Sequence, residues 1–445
     1  MHTLEQLRAG QLAGATRLDL SAGLTEFPAE IFDLADSLEI LNLSGNALSA
    51  LPADLPRQRT LRVLFCSDKQ STAVPEVLGQ CSHLSMIGFK ANQIRTLPAA
   101  ALPPQLRWLI LTDNQLTELP PEIGNCPQLE KLMLAGNQLT TLPDSLARCI
   151  NLGLLRIAAN QLTELPAWLL TLPRLSWLAY AGNPFSAAAE AAVVARHPIA
   201  SIPWAQLRIE QQLGEGASGV IYRAGWHRGA AVPTEVAVKL FKGAVTSDGL
   251  PQSEMAACIS AGAHPNLIAV KGKIAEHPTG AEGLVLELID PAFRNLGGPP
   301  SLASCTRDVY APGTVYSLQA AWQIALGIAA AAAHLHTQGI MHGDLYAHNI
   351  LYTEAGEALL GDFGAACFFD PADLGLAQAL QRLEVRAFAC LLEDLLMHCP
   401  EAAAMPALHQ AWQLLQHRCA QPEAAARPLF AEIVQALAGW SAVAA

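Results

Sequence analysis

The chain has 445 residues, 51% of them hydrophobic and 15% charged, which fits two or three globular domains and excludes a disordered chain. Its 27 basic and 39 acidic residues give a net charge of −12. Neither side of residue 200 has a basic excess (14 basic and 17 acidic before it, 13 and 22 after), so a nucleic-acid partner and an anionic membrane are both disfavoured. The start, MHTLEQLRAGQLAG, lacks the apolar core of a signal peptide. The most apolar stretch, residues 320–335, is mostly Ala and holds Gln323; it reads as a buried helix, too short to span a bilayer. The expected location is the cytoplasm, with signal-independent secretion left open.

The first half repeats itself. LNLSGNALSALP, LILTDNQLTELP, LMLAGNQLTTLP and LRIAANQLTELP align, with Asn46, Asn92, Asn114, Asn137, Asn160 and Asn183 in register. Steps after Asn92 are 22, 23, 23 and 23 residues, and the 46-residue gap before it holds one more repeat with Lys69 in the asparagine slot. A degenerate copy, LDLSAGLTEFP, comes first, giving about eight repeats. Cys81, Cys126 and Cys149 share one repeat position, which implies stacked buried thiols rather than a disulfide framework; no CxxC pair suggests zinc. The pattern LxxLxLxxNxLxxLPxxL over residues 18–185 resembles leucine-rich repeats. The resemblance implies an α/β solenoid, or horseshoe, with inward leucines on short strands, an asparagine ladder and an extended or 3₁₀ convex side. The concave positions carry Phe65, Met86, Trp108, Ile110, Met133 and Trp177, flanked by Arg62, Arg107, Lys131 and Arg156. Solvent-facing strands would be polar there, so a cover on this face is expected: a protein ligand, or alternatively the second half of the chain itself or a second copy.

After Asn183-Pro184-Phe185 the repeat stops, and an Ala-rich helical joint precedes Pro203-Trp204. LRIEQQLGEGASGVIYRA then places Gly214, Gly216 and Gly219 between two strand-like runs. Glycines let a backbone approach a triphosphate. The following run is β-branched rather than helical, unlike a dinucleotide loop, and VAVK ends in Lys239. Glu254, the LVLELI run at 284–289, HGDLYAHN with Asp344 and Asn349, and Asp362-Phe363-Gly364 follow in order. Over residues 207–437 the chain resembles protein kinases. That resemblance implies a bilobal α+β domain using ATP and Mg2+. It assigns Gly214, Gly216, Gly219, Val220, Ala237, Lys239, Glu287, Leu288 and Leu351 to the nucleotide, and Asn349 and Asp362 to the metal. Asp344 would take the substrate hydroxyl proton, and Glu254 would orient Lys239.

Several positions depart from the family pattern. Gly343 replaces the arginine that normally receives a phosphorylated activation loop, a non-RD arrangement. Residues 365–383, read as that loop, contain no Ser, Thr or Tyr. No clear APE occurs; Arg427 lacks its usual glutamate, Glu384 stands for the aspartate of the F-helix, and Tyr346 replaces a lysine that His348 could partly stand for. The expected organisation is residues 1–186 as the repeat domain and 187–203 as a joint. The kinase domain is expected over 204–440, split into lobes near 289. The expected activity is transfer of the ATP γ-phosphate to Ser or Thr, less so Tyr, of a protein substrate. The alternatives are a nucleotide-binding scaffold and a small-molecule phosphotransferase of the aminoglycoside- or choline-kinase type, whose loop HGDLxxxNIL also resembles.

Overall fold

The computed structural model describes residues 2–68, 71–216, 218–229, 232–242 and 245–440; the asparagine-slot Lys69 lies outside them. Two compact units result. The first is Met1–Arg174 with Asn183–Phe185, the second Leu175–Gly182 with Ser186–Ala445.

The first unit opens with a short helix, α1 (Leu4–Arg8), closed by a capping box from Thr3 and Gln6. Seven three-residue strands follow: β1 (Arg17–Asp19), β2 (Ile40–Asn42), β3 (Val63–Phe65), β4 (Met86–Gly88), β5 (Trp108–Ile110), β6 (Lys131–Met133) and β7 (Leu154–Arg156), each parallel to the next. The middle residue of every strand, Leu18 through Leu155, is buried. Side chains alternate along a strand, so one column of leucines fills the core while the neighbours point out. The prolines of LP are extended and start 3₁₀ turns such as Pro121–Asn125 and Asp144–Arg148, whose carbonyls then bond i+3 amides. Each strand must turn back toward the convex side, and buried asparagines satisfy the backbone groups exposed there. Asn137 donates to Leu111 O and Leu134 O, both at 2.9 Å, and accepts from Leu116 N at 3.0 Å. Asn160 repeats this on Leu134 O, Ile157 O and Leu139 N at 3.0–3.1 Å. Cys81, Cys126 and Cys149 are free and buried, and burial pushes each thiol up to about 11.

The second unit starts with β8 (Trp177–Ala179), helix α2 (Ala187–Arg196) and strand β9 (Ser201–Pro203). Then come β10 (Leu207–Glu215), β11 (Gly219–Trp226), β12 (Thr234–Phe241), helix α3 (Pro251–Ser260), β13 (Val270–Ala275) and β14 (Gly283–Glu287). They form a six-stranded sheet in the order β10-β11-β12-β14-β13-β9, antiparallel except that β9 runs parallel to β13. Its core gathers Ile202, Leu207, Trp226, Val236, Val238, Ile274 and Val285.

The helical part holds β15 (Arg294–Asn295), α4 (Leu318–Thr337), β16 (Ile340–Met341), β17 (Ile350–Tyr352), β18 (Ala358–Leu360), β19 (Cys367–Phe368), α5 (Leu374–Met397), α6 (Pro400–Ala403), α7 (Pro406–Cys419) and α8 (Phe430–Ala438). Two sequence readings need correction. Helix α4 has 20 residues, long and apolar enough by composition to cross a membrane; Ile324, Ile328, Ala331 and Leu335 are nevertheless buried as its core face, so it is an interior helix because of its packing and not its length. Residues 365–383 are not one loop. Asp373 caps α5 by accepting from Leu376 N at 3.2 Å, and Leu380 and Leu383 already lie buried on the helix.

Candidate active site

Lys239 sits on β12 and Glu254 in the first turn of α3. Their side chains form an ion pair that is 13% and 2% exposed. Burial opposes charge on Lys239, but the carboxylates of Glu254 and Asp362 outweigh it and raise the lysine above its ordinary value. The amine is therefore a fixed cation. Gly216 turns the chain between β10 and β11, its N–H donating to Gly219 O at 2.9 Å. A Cβ at Gly219 would meet Leu240 O at 2.4 Å, so only glycine lets β11 pass β12 at this spacing. Val220 lies on β11 and Ala237, buried, on β12. At the end of β14, Glu287 points its side chain outward to Lys271 at 2.9 Å, and its N–H donates to Ala269 O at 2.8 Å; Leu288 follows it, half-buried.

The acidic residues come together through the β17–β18 hairpin. Asn349 precedes β17 and Asp362 follows β18, and Gly361 N donates to Asn349 O at 2.9 Å. Asn349 Nδ2 donates to the Asp344 carboxylate at 2.8 Å and to Asp344 O at 2.9 Å. Asp344 N donates to His342 Nδ1 at 3.3 Å, and the far side of that buried ring meets Gly361 O at 2.9 Å. Asp362 is exposed with a left-handed backbone, φ 55°, and accepts from Gly364 N at 3.2 Å. Leu351 is half-buried on β17. The result is the Asp344 carboxylate held by Asn349, the exposed Asp362 carboxylate that follows in sequence order, and one fixed cation.

Residues 207–390 match the family described as protein tyrosine and serine/threonine kinase, and residues 104–162 match leucine rich repeat. This chain carries leucine-rich repeats and a protein kinase domain. It is 31% identical over 175 residues to CBL-interacting protein kinase 22 of Oryza sativa subsp. japonica, covering 36% of each chain. It is 28% identical over 178 residues to serine/threonine-protein kinase mos of Gallus gallus, covering 37% of this chain and 49% of that one. It is 33% identical over 118 residues to leucine-rich repeat and calponin homology domain-containing protein 1 of Mus musculus, covering 26% of this chain and 16% of that one. The chain thus spans half or less of these relatives' lengths. A solved leucine-rich repeat protein of Leptospira interrogans matches at 28% identity and a TM-score of 0.34, covering 39% of this chain and 51% of that one.

Within the kinase domain, the departures from the family pattern have structural partners. Glu384 on α5 accepts from Gly343 N at 2.8 Å and His342 N at 3.3 Å and meets His336 Nε2 at 2.6 Å. Burial raises its carboxyl, but His336, His342 and the Gly343 amide outweigh that and hold it below the usual range. Gly343 has φ 74°, and a Cβ there would meet Ala365 O at 2.4 Å and Leu178 O at 2.7 Å. An arginine has neither the backbone nor the room. Arg427, buried, donates to Gln421 O at 2.7 Å and Arg382 O at 3.0 Å in place of a glutamate; desolvation and the facing Arg386 lower it to about 10.

One feature is absent from the sequence motifs. Asp308, in the Gly- and Pro-rich stretch before α4, accepts from Ala347 N at 2.7 Å and meets His348 Nδ1 at 2.7 Å. Burial lowers the His348 imidazole, yet the bond to Asp308 and the charges of Asp344 and Asp362 raise it overall. No spacing signal marks Asp308.

For Trp177, the alternative expected of the concave positions holds: residues of the second half of the chain cover it, and no protein ligand can. The indole is 3% exposed, donates to Leu345 O at 3.1 Å, and stacks on Tyr346 with centroids 4.2 Å apart and planes 5° apart. Met86 and Met133 are buried too; Trp108 Nε1 reaches Met133 Sδ at 3.4 Å, and Lys131 Nζ lies 3.9 Å from the Trp108 ring centre. Phe65, Trp108 and Ile110 are half-buried.

Proposed function

We propose that this chain transfers the γ-phosphoryl group of ATP to a Ser or Thr hydroxyl of a protein. The observation that carries the reading is the simultaneous formation of the Lys239–Glu254 pair and the Asp344–Asn349 pair in one domain. Phosphoryl transfer needs positioning and charge stabilisation more than covalent chemistry. Lys239, kept charged and oriented by Glu254, would hold the α- and β-phosphates. The backbone between β10 and β11 would cover them. Asp344, aligned by Asn349, would accept the hydroxyl proton as the new P–O bond forms and ADP leaves. Asn349 and Asp362 offer the hard oxygen donors that Mg2+ requires, and the metal would supply charge neutralisation on the polyphosphate. Radiolabelled ATP transfer by the purified chain, compared with Asp344→Asn, tests this. Labelling of the chain or a generic protein substrate that the variant abolishes is the expected result. Binding of Mg-ATP with no label on any acceptor would favour a nucleotide-binding scaffold.

One observation favours a second reading. Helix α5 begins at Leu374, so the segment on which a peptide would dock is nearly absent. A small hydroxyl compound as acceptor fits that, and transfer to aminoglycosides or choline in the same assay would establish it. We further propose that the repeats bind a protein through the positions around Phe65, Trp108 and Ile110, and that buried thiols such as Cys81, Cys126 and Cys149 fit a reducing compartment such as the cytoplasm.

A further inference from the structure

The second unit reaches back to Leu175, ahead of everything that the kinase resemblance covers. We propose that residues 175–196 are a built-in activating element of the kinase domain, with Trp177 as a positioning residue for the catalytic loop. The inference rests on the kinase reading for its kinetic arm only.

Three sets of contacts carry it. Trp177 holds the loop at two successive residues next to Asp344, one by the indole N–H on Leu345 O and one by the stack on Tyr346. A rigid aromatic fixed at both face and edge leaves its partner few alternative positions. Next, Tyr180 holds the short strand after Asp362-Phe363-Gly364. Its N–H donates to Cys367 Sγ at 3.0 Å and its hydroxyl donates to Phe368 O at 3.1 Å. Finally, Ser253 Oγ donates to Glu190 on α2 at 2.9 Å, at the residue beside Glu254. One stretch of 22 residues thus touches the catalytic loop, the strand after the metal-ligand turn and the helix that orients Lys239.

The direction of the effect follows from what stays intact. An inhibitory strap would break the Lys239–Glu254 pair or displace Asp344 from Asn349, and both pairs are formed here. Gly343 removes the usual receptor of a loop phosphate. A Cβ there would meet the Ala365 and Leu178 carbonyls, so an arginine does not fit at this position. The stretch after Asp362 has no hydroxyl to phosphorylate. What a phosphate does in other kinases by ordering a loop, residues 175–196 do here by permanent packing.

The test uses the full chain and the variants Trp177→Ala, Trp177→Phe and Ser253→Ala, each checked for an unchanged melting transition. The first readout is amide exchange over residues 342–349, which needs no catalysis. Trp177→Ala should speed exchange there while Trp177→Phe, which keeps the stack, restores most of the protection. The second is kinetic: kcat should fall roughly tenfold to a hundredfold in Trp177→Ala at an unchanged KM for ATP, the scale expected when a catalytic group is misplaced, with a smaller fall in Ser253→Ala. A wild-type chain without transfer would end the kinase reading and leave the exchange arm standing. Unchanged exchange in Trp177→Ala, or unchanged kcat in an active chain, overturns the inference. Should Trp177→Ala not fold, Trp177→Phe decides alone: loss of the bond to Leu345 O must still raise exchange at 345–346, and no rise overturns it.

Discussion

The two units use buried polar side chains in opposite ways. In the repeats one residue type does one job at every turn, as Asn137 and Asn160 show with the same three bonds one repeat apart. In the kinase domain each job is done once, by a different residue: Glu384 for the loop amides, Asp308 for its far side, Glu254 for the lysine. Repetition spreads stability over near-neighbour terms, so a single lost copy is local. A single-copy device has no neighbour to compensate. Regular architecture thus tolerates substitution, whereas an active site concentrates its vulnerability.

The largest expected effect breaks a single-copy device without unfolding anything. Asp344→Asn should lower phosphoryl transfer by roughly 10²–10⁴-fold, the usual range for a positioned proton acceptor, with nucleotide affinity nearly unchanged in a binding titration. Next comes Glu384→Ala. It strips a buried acceptor from two backbone amides and a histidine, at a cost of about 3 kcal/mol or more, read as an earlier transition for the kinase domain in urea. The pH dependence has a definite sign. The folded Glu384 carboxyl lies below its unfolded value, so its contribution is complete above the ordinary glutamate range. It is lost as pH falls through the depressed value; acid titration of the wild type but not of Glu384→Gln should show it.

Asn137→Ala sharpens the other side of the comparison. It should cost the repeats about 1–3 kcal/mol, because Leu116 N loses its acceptor while Leu111 O and Leu134 O each lose one of two amide donors and keep Asn114 and Asn160. Transfer activity should not move, and a loss of stability as large as that of Glu384→Ala would show that the two regions are equally fragile. The smallest effect belongs to Trp108→Ala. Its half-buried ring lies outside the leucine column, so melting should shift little, while affinity for a protein bound on that face should weaken by about 2 kcal/mol.

The same contrast explains what could be read from the sequence. The repeats were legible because register, leucine column and asparagine slot recur at fixed spacing, and each copy checks the others. The site motifs were legible because Gly214–Gly219, Lys239, Asp344–Asn349 and Asp362 carry their chemistry in short contiguous runs. What covers Trp177 stays open in the sequence because its partner Leu345 lies 168 residues away. From the repeat alone it occupies the same register as Trp108. Asp308 and Ser253 were missed for the same reason: their bonds depend on tertiary placement and leave no local pattern. Residues 374–383 read as loop from the family spacing, although Asp373 and the buried leucines after it mark a helix start.

The shortness of the link from β19 to α5 also sets how activity scales with the amount of protein. Only residues 369–373 join the two elements, a tether of at most about 17 Å when fully stretched. Its far end is anchored by Glu384, 1% exposed beneath the catalytic loop, and its near end by the pairing of Cys367 with Met341. Two copies of the chain cannot trade this stretch or present it to each other's catalytic loop without extracting Glu384. Under the proposed activating role of residues 175–196, turning on is a unimolecular property of each folded molecule. Specific activity should stay constant on dilution, with no lag and no dependence on encounter between copies.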